Sequence, residues 1–326
     1  IVNGLVGSEM CIRDSFAYRL ENMIFNKFFI LFKIGRKIGK TNIINIVSET
    51  HKIPVFIKLF FNLLAFSFSS SNNTKSKGKE NLSESIQEMG TTFIKLGQFL
   101  ATRPDIIGEK LSKELESLQD KLPPFSKKEA EKIIIENLGQ SNFDDIIDLS
   151  EPIAAASIAQ VHKAKIKEDN IIKNVAIKVL RPNIKKIFND EIDAIMLLAY
   201  IVESLISKTK RLKLIEVVFL FKEITNHEMD LRFEAAAANE YAENTKNDLG
   251  FFVPKIYWNF TSESVLTLDW VDGVSIREKD LLKEKNIETS KIATNLIQHF
   301  LRHAVRDGFF HADMHQGNIF INESSQ

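Results

Sequence analysis

The spacing of apolar residues predicts helices over most of the chain and a small sheet near its middle. Phe93, Leu96 and Leu100 recur at i, i+3 and i+7, the period of one helix face. One predicted helix begins near Asn81. The other predicted helices run from about Lys127 to Leu138, Ile184 to Ser207, Lys213 to Asn244 and Ser290 to Arg306. The predicted strands are Ile153 to Lys167, Asn174 to Leu180, Val253 to Trp258 and Ser264 to Val271. This order of elements predicts an α+β protein with a two-lobed core.

Two strongly apolar stretches precede the predicted sheet. Met23 to Phe32 is followed by basic residues, a pattern compatible with a helix on an anionic membrane surface. Its apolar residues cover most of the helical circumference, which favours packing against protein instead. Ile53 to Phe68 has the same character, and Ser69 to Lys79 contains no apolar residue and is predicted to be a linker. Lys58 and Asn62 interrupt the second stretch, so it lacks the roughly 18 apolar residues of a membrane span.

Charge and cysteine content exclude several classes of protein. The 43 basic residues equal the 43 acidic residues, so no overall attraction to nucleic acid is expected. Cys11 is the only cysteine, which excludes an intrachain disulfide and a cysteine-based zinc site and fits a reducing, cytoplasmic setting. The stretch from Gly7 to Ser15 resembles a translated sequencing adapter, so residues 1–15 are treated as an artefact.

A lysine on a strand of buried type is the first candidate for chemistry. The sequence Val-Ala-Ile-Lys, which ends at Lys178, places an ammonium group on a strand otherwise suited to the core. In protein kinases such a lysine holds nucleotide phosphates and is oriented by a helix carboxylate. At about 100° per residue, Asp230 and Glu234 share a helix face and Glu228 points away. Glu234 is therefore the predicted partner of Lys178, and an edge lysine without a function is the alternative.

The segment from His311 to Asn318, HADMHQGN, follows a predicted helix and precedes an apolar strand. A kinase catalytic loop carries an aspartate that serves the acceptor and, five positions later, an asparagine that binds Mg²⁺. Asp313 and Asn318 have this spacing. Since His311, Asp313 and His315 alternate, they could instead lie on one side of a strand as transition-metal ligands. Two histidines in a polar turn are a third interpretation.

A stretch of small residues lies about twenty residues before Lys178, where a kinase carries its glycine-rich phosphate loop. The candidate loop residues are Ala154, Ala155, Ala156 and Ser157. Alanine allows close approach of the backbone but disfavours a positive φ, so a stiffer loop with different phosphate contacts is predicted. A packing patch of small residues is the alternative.

Four motifs in one order make the chain resemble the UbiB family of atypical kinases, which is associated with ubiquinone biosynthesis. The motifs are Lys95-Leu96-Gly97-Gln98 (KxGQ), AAASIAQVH from Ala154, Glu228-Met229-Asp230 with Glu234, and HADMHQGN from His311. The stretches ATRPDII and LQDKLPP add to the likeness. The resemblance extends from about Leu82 to Asn322, and four ordered motifs are far more specific than any one of them.

The resemblance implies a protein-kinase-like, two-lobed fold with an N-terminal helical KxGQ extension that covers the place where a protein substrate would dock. Lys95 and Gln98 would face Glu228 and Asp230, and these four residues would join the alanine-rich loop in the ATP site. The helix face at Gly97 would lie close against the nucleotide-binding lobe. A glycine in the middle of a helix costs about 1 kcal/mol relative to alanine. Such a close approach would explain why a glycine stands at this position.

The sequence departs from the family at its C-terminal end. Family members continue into a strand with an Asp-Phe-Gly motif whose aspartate binds Mg²⁺, and no such motif follows Asn318. The resemblance therefore implies an incomplete C-lobe and a truncated chain that is inactive by itself. The expected domains are 1–15 (artefact), 16–68 (apolar helices), 69–80 (linker), 81–150 (KxGQ extension), 151–271 (kinase-like N-lobe with inserted helices) and 272–326 (partial C-lobe with the catalytic loop).

For the function, the resemblance implies an Mg-ATP-dependent ATPase or small-molecule kinase in ubiquinone biosynthesis. Asp313, Lys178 and Glu234 would be catalytic and Asn318 would bind Mg²⁺. A cytoplasmic location at the periphery of the inner membrane is expected, with prenylated quinone precursor lipids, other ubiquinone-biosynthesis proteins and the membrane surface as partners, and no nucleic acid. The alternatives are a nucleotide-gated scaffold without catalysis and a metal-dependent hydrolase that uses His311, Asp313 and His315.

Overall fold

The computed structural model of this protein describes residues 29–39, 41, 43, 46, 82–118, 122–205, 207–312, 314 and 317–322. The chain divides into two compact units. The helical unit combines Ile1–Lys121 with Asn183–Asn226, and the sheet unit combines Leu122–Pro182 with His227–Gln326. The predicted artefact, the second apolar stretch and the linker lie outside the described residues, and the predicted domain boundaries stay predictions.

The elements follow the predicted order of helices, sheet and helices. The helices are α1 (29–39), α2 (Leu82–Met89), α3 (Thr91–Ala101), α4 (Pro104–Ile107), α5 (Glu109–Leu115), α6 (Lys127–Leu138), α7 (Gln140–Asp144), α8 (Ile184–Leu205), α9 (Leu214–Glu228), α10 (Leu231–Thr245), α11 (Lys279–Glu284) and α12 (Thr289–Arg302). The strands are β1 (Ile146–Ile147), β2 (Pro152–Ala155), β3 (Ala159–Glu168), β4 (Ile171–Leu180), β5 (Val265–Asp269), β6 (Val274–Ser275) and β7 (Phe320–Ile321). Shorter turns of helix occupy Ser207–Leu212, Trp258–Phe260 and His303–Asp307.

Among its described residues, the helical unit contains two apolar clusters that pack its helices together. Ile34, Met89, Phe93 and Ala194 form the first cluster, and Leu82, Leu111, Leu115 and Leu118 form the second. Gly90 separates α2 from α3 with a φ of 105°, in the region that favours glycine. The helix predicted to begin near Asn81 is therefore interrupted at this glycine.

The sheet unit is built on an antiparallel sheet in the order β1-β3-β4-β5, with β2 paired to β3. The β3–β4 ladder runs from Ala159 opposite Leu180 to Glu168 opposite Ile171. Asp169 and Asn170 close this hairpin with φ values of 50° and 62°. Two positive φ values in a two-residue loop match the twist of the flanking strands, so this tight turn suits the hairpin.

Alternation along β4 gives the sheet one apolar face. Val175, Ile177 and Val179 are fully buried and share a cluster with Ala130 and Ile134 of α6. Because successive side chains of a strand point to opposite faces, Lys178 lies on the other face of the same strand.

Three predicted elements need correction because local contacts interrupt them. The long helix from Lys213 to Asn244 is two helices, α9 and α10, because Asp230 adopts an extended conformation with φ −120° and caps the second. The long first strand divides into β2 and β3 at the alanine-rich turn. The predicted strand from Val253 to Trp258 is reduced to one bridge, between Ile256 and Leu268, followed by a helical turn.

The last helical segment ends differently from the prediction. The regular helix α12 stops at Arg302 and continues as a π-helical turn, His303–Asp307, instead of running as one α-helix to Arg306. After it, β7 pairs with β6 beside a small cluster that contains Val274, Leu282 and Ile321. Across the described residues, no helix combines the length and apolarity that crossing a membrane requires.

Gly97 makes room for neighbours within the helical unit. A Cβ atom built there would overlap Leu118 Cδ1 and lie 3.4 Å from Ile86 Cγ2. Packing within the helical unit therefore accounts for this glycine, because the nearest atoms belong to the second apolar cluster and its neighbour Ile86. The expected contact of its helix face with the nucleotide-binding lobe stays a prediction.

A double-mutant cycle tests this packing. Gly97→Ala should lower the free energy of unfolding by about 1 kcal/mol, because overpacking costs about 1–3 kcal/mol and the better helix propensity of alanine offsets about 1. In a Leu118→Ala background the same change should raise that free energy, because the space is then open. Denaturant unfolding of the four proteins measures the effect. Equal effects of Gly97→Ala in both backgrounds would show that Leu118 is not the constraint.

Candidate nucleotide site

Lys178 and Glu234 form an ion pair on the face of β4 opposite the apolar core. Lys178 Nζ lies 2.9 Å from Glu234 Oε1 and 2.7 Å from Oε2. The side chains are 27% and 50% exposed, so both remain accessible to a solute. The predicted pairing of these residues is confirmed, and their catalytic roles stay predictions.

Buried contacts at the start of α10 fix the turn that carries Glu234. Asp230 is the N-cap residue, and its carboxylate accepts a backbone N–H of the first turn at 3.1 Å. The Leu231 N–H donates to the Glu263 carbonyl at 3.0 Å, and Leu231 and Ala235 are fully buried. Glu234 is adjacent to Ala235 in sequence, so packing of the helix against the unit holds its carboxylate in reach of the strand.

The alanine-rich loop is the tip of the β2–β3 hairpin. Ala154 and Ala155 lie in β2, and the Ala156 N–H donates to the Ala159 carbonyl at 2.8 Å. Ser157, in the tip, is fully buried. No described residue of this loop has a positive φ. The Ala156 N–H is thus used inside the hairpin, whereas a glycine-rich loop can turn such groups toward phosphate.

Arg181 ties the loop to the end of β4. Its Nη2 donates to the Ala156 carbonyl at 2.8 Å and its Nε to the same oxygen at 3.1 Å. Its backbone N–H donates to the Ile158 carbonyl at 2.8 Å. The loop and the strand that carries Lys178 are thereby connected by hydrogen bonds. Sequence reasoning missed Arg181, because a single arginine after a strand carries no motif.

A second buried contact anchors β3 to the segment before α6. The Gln160 side-chain amide bonds with the Phe125 N–H at 2.9 Å and the Phe125 carbonyl at 3.2 Å. Its nitrogen also lies 2.9 Å from His162 Nε2, and His162 Nδ1 lies 2.8 Å from the Ser150 carbonyl. These partners fit a neutral imidazole that donates from Nδ1 and accepts at Nε2. Burial lowers the pKa of His162, which keeps the ring neutral near pH 7.

The signal for this contact was present in the sequence. Gln160 and His162 occupy alternate, inward positions of β3 and both are buried. Polar side chains at core positions predict hydrogen-bonded partners, although the partners Phe125 and Ser150 could not be named from the sequence.

The remaining predicted nucleotide-site residues are spread over several elements. Lys95 and Gln98 lie on α3, Glu228 is the last residue of α9, and Asp230 caps α10. Glu228 and Asp230 therefore flank a helix break instead of following each other on one helix. The Asp230 carboxylate pairs with the Arg232 guanidinium at 2.6 Å. The predicted nucleotide contacts of these residues stay predictions.

Part of the predicted catalytic segment is described. His311 and Asn318 are exposed, and Asn318 lies just before β7. Asp313 and His315 lie outside the described residues, so the aspartate role and the alternative metal site stay predictions. Asn318 also stays the predicted Mg²⁺ ligand.

A strand lysine held by a helix carboxylate, beside a hairpin loop of small residues, defines the class as kinase-like. A family model, the ABC1 atypical kinase-like domain, matches residues 117–326, and the chain belongs to this family. The predicted α+β, protein-kinase-like fold class is thereby confirmed.

Named relatives agree with the family. A probable protein kinase UbiB from Marinobacter nauticus is 34% identical over 275 residues, which is 84% of this chain and 49% of the relative. The corresponding protein of Cellvibrio japonicus is 33% identical over 270 residues, 82% of this chain and 48% of the relative. The chain thus spans about half the length of the curated relatives it matches. A solved complex of Rv3197 with erythromycin from Mycobacterium tuberculosis aligns with a TM-score of 0.44 and 23% identity, over 71% of this chain and 56% of that one.

The buried histidine of the β3 anchor predicts a pH dependence of stability. Its pKa is lower in the folded protein than the ordinary value of about 6.5, so the unfolded chain binds the proton more readily. The contribution of His162 to the free energy of unfolding is therefore fully present above the pKa that His162 has in the unfolded chain. It is lost as the pH falls below that value. His162→Asn keeps a donor for the Ser150 carbonyl and cannot be protonated. We expect this variant to reduce the loss of unfolding free energy between pH 7 and 5, by up to about 1.4 kcal/mol per pH unit.

The control is His227→Asn, because His227 is exposed. Urea unfolding at several pH values gives the slope of the unfolding free energy against pH for the three proteins. Equal slopes for His162→Asn and the unmodified protein would contradict the assignment of His162 as a neutral, buried ring.

Proposed function

We propose that this protein is an atypical kinase or ATPase that binds ATP at the sheet unit and supports ubiquinone biosynthesis at a membrane. The observation that carries the proposal is the ion pair between Lys178 and Glu234 on the open face of β4. A kinase-like site needs a lysine that is held in place and can still reach phosphate. Family membership and the similarity to proteins named UbiB support the same function.

The residues around Lys178 fit a nucleoside triphosphate. The lysine ammonium is partly exposed and is oriented by a carboxylate that is half exposed, so neither charge is locked in the core. Ala155 and Ala156 add little bulk to the hairpin tip, which leaves the backbone approachable. The Arg181 guanidinium donates to the Ala156 carbonyl in the loop. Because Arg181 serves the loop in this way, Lys178 is the basic residue that we propose for contact with the phosphates.

Each proposed catalytic residue has one task. When bound, ATP supplies the phosphoryl group. Lys178 donates hydrogen bonds to the phosphates, and Glu234 keeps the ammonium group aligned. Asp313 orients the acceptor hydroxyl or water and takes its proton, and Asn318 provides an amide oxygen for Mg²⁺. Mg²⁺ prefers oxygen ligands in octahedral geometry, and an amide oxygen suits that preference.

The metabolic context is the finer part of the proposal. Prenylated quinone precursor lipids are proposed as the small-molecule partners, together with other ubiquinone-biosynthesis proteins and the membrane surface. A peripheral position at the inner membrane would bring a kinase-like enzyme to such lipids. A nucleotide-gated scaffold without turnover is the second candidate. Nothing in the described part of the chain favours hydrolysis by His311, Asp313 and His315.

Replacing the lysine tests the nucleotide site. Lys178→Ala in the full-length protein should weaken Mg-ATP binding by at least about tenfold, since a hydrogen bond to a charged group contributes about 1.5–3 kcal/mol. Glu234 is half exposed, so its unpaired carboxylate can be hydrated and the loss of stability should stay below about 1 kcal/mol. Calorimetric titration and thermal unfolding measure the two effects.

Lys165→Ala is the matched control, because Lys165 also pairs with a carboxylate, Asp148, at 2.8 Å on the same sheet. It should leave the Mg-ATP affinity unchanged. Equal affinities for Lys178→Ala and the unmodified protein would remove the kinase-like assignment of this site. Binding without phosphate release in the unmodified protein would instead favour the scaffold.

A further inference from the structure

A buried polar network connects α10 with the turn that precedes His311. The Tyr241 hydroxyl lies 2.8 Å from His303 Nδ1, and His303 Nε2 lies 2.9 Å from Asp248 Oδ2. Arg306 donates to both oxygens of Asp248, at 2.8 and 2.9 Å. His303 is fully buried and the Asp248 side chain is 5% exposed. None of the sequence motifs includes these four residues, and the proposed ATP chemistry does not use them.

The charges in the network select one arrangement of protons. Hydrogen bonds from Arg306 lower the pKa of Asp248, so its carboxylate stays ionised. An ionised carboxylate accepts, so His303 donates from Nε2 to Asp248, and in the neutral ring Nδ1 is then the acceptor. Burial raises the pKa of Tyr241, so its hydroxyl keeps the proton that it donates to His303. Every contact therefore runs in one direction, from tyrosine through histidine to aspartate.

The network holds the turn just before the predicted catalytic segment. His303 and Arg306 lie in that turn, and the Tyr241 ring contacts the Phe309 ring edge-on, with the centroids 6.2 Å apart. His311, the first residue of the HADMHQGN motif, lies two residues after Phe309. Tyr241 lies two turns after Glu234 on α10, which corresponds to about 10 Å along the helix. One helix thus carries the partner of Lys178 and a residue that contacts the turn before the catalytic segment.

A metal centre is the competing interpretation of the same cluster. Ligand atoms of Asp248, His299 and His303 lie within 4.8 Å of one another, and all three residues are buried. However, both nitrogens of His303 have hydrogen-bond partners, and the guanidinium of Arg306 already neutralises the carboxylate. A cation would have to displace Arg306 and would lie beside its positive charge. The contacts therefore favour a hydrogen-bonded support over a metal site.

We propose that Tyr241, His303 and Asp248 are positioning residues that hold the turn His303–Asp307, just before His311, in register with α10, and so with the Lys178–Glu234 pair. The proposal rests on the proposed nucleotide function. Loss of this support should lower the rate of phosphoryl transfer much more than nucleotide affinity, because small displacements of reacting groups have large effects on rate.

Tyr241→Phe is the sharpest test, because it removes only the hydroxyl and keeps the ring that contacts Phe251 and His303 edge-on. Tyr257→Phe is the matched control. Tyr257 is 2% exposed, and its hydroxyl donates to the Asp269 carboxylate at 2.6 Å, within the cluster under the sheet. Both variants remove one buried tyrosine hydroxyl, and only the first removes a hydrogen bond with His303 in the turn before the catalytic segment.

Two measurements on the full-length protein separate the outcomes. We expect Tyr241→Phe to lower kcat for ATP by about tenfold or more, with the Kd for Mg-ATP changed less than about threefold. Amide hydrogen exchange in peptides that cover residues 303–311, measured by mass spectrometry, should be faster in Tyr241→Phe and unchanged in Tyr257→Phe. Unchanged exchange in these peptides, or equal losses of kcat in both variants, would overturn the positioning role. An unmodified protein that binds no ATP would overturn the proposed function, and the exchange result would still test the contact.

Discussion

The ladder between β3 and β4 is the constraint on which the candidate site depends. It places the alanine-rich loop at one end of β3 and Lys178 near the corresponding end of β4. Alternation along β4 sends its β-branched residues into the apolar core and turns Lys178 to the opposite face. A shift of one residue in this register would bury the lysine and expose the core residues, so the apolar pattern and the chemistry of the site are specified together.

Buried polar contacts and exposed charges have different tasks in the sheet unit. Gln160, His162 and Arg181 bond mainly to backbone groups, and these bonds fix the position of the loop. The ion pair of Lys178 and Glu234 is accessible and contributes little to stability. This division suits a site in which the frame is rigid and the phosphate contact can exchange a carboxylate partner for a nucleotide.

Patterns in the sequence predicted those parts of this arrangement that depend on residues close together in the chain or on a known motif. The pairing of Lys178 with Glu234 followed from the kinase-like lysine motif together with helix periodicity, and helix α6 ends at Leu138 as the pattern indicated. The helix break at Asp230 was missed, because the apolar spacing continues through it and its N-cap role was not recognised. The role of Gly97 and the network around His303 were also missed, since both depend on residues distant in sequence, for which a single sequence gives no signal.

The most direct test of the central claim is to label the full-length protein with an acyl phosphate derivative of ATP, which transfers its acyl group to an amine close to the bound phosphates. Lys173 on the same strand is more exposed than Lys178 and serves as an internal control. Peptide mass spectrometry should find Lys178 as the preferred acylation site, and excess Mg-ATP should prevent the reaction there and leave Lys173 unaffected. Labelling that follows exposure alone, or that persists at Lys178 with excess Mg-ATP, would contradict a nucleotide site on this strand.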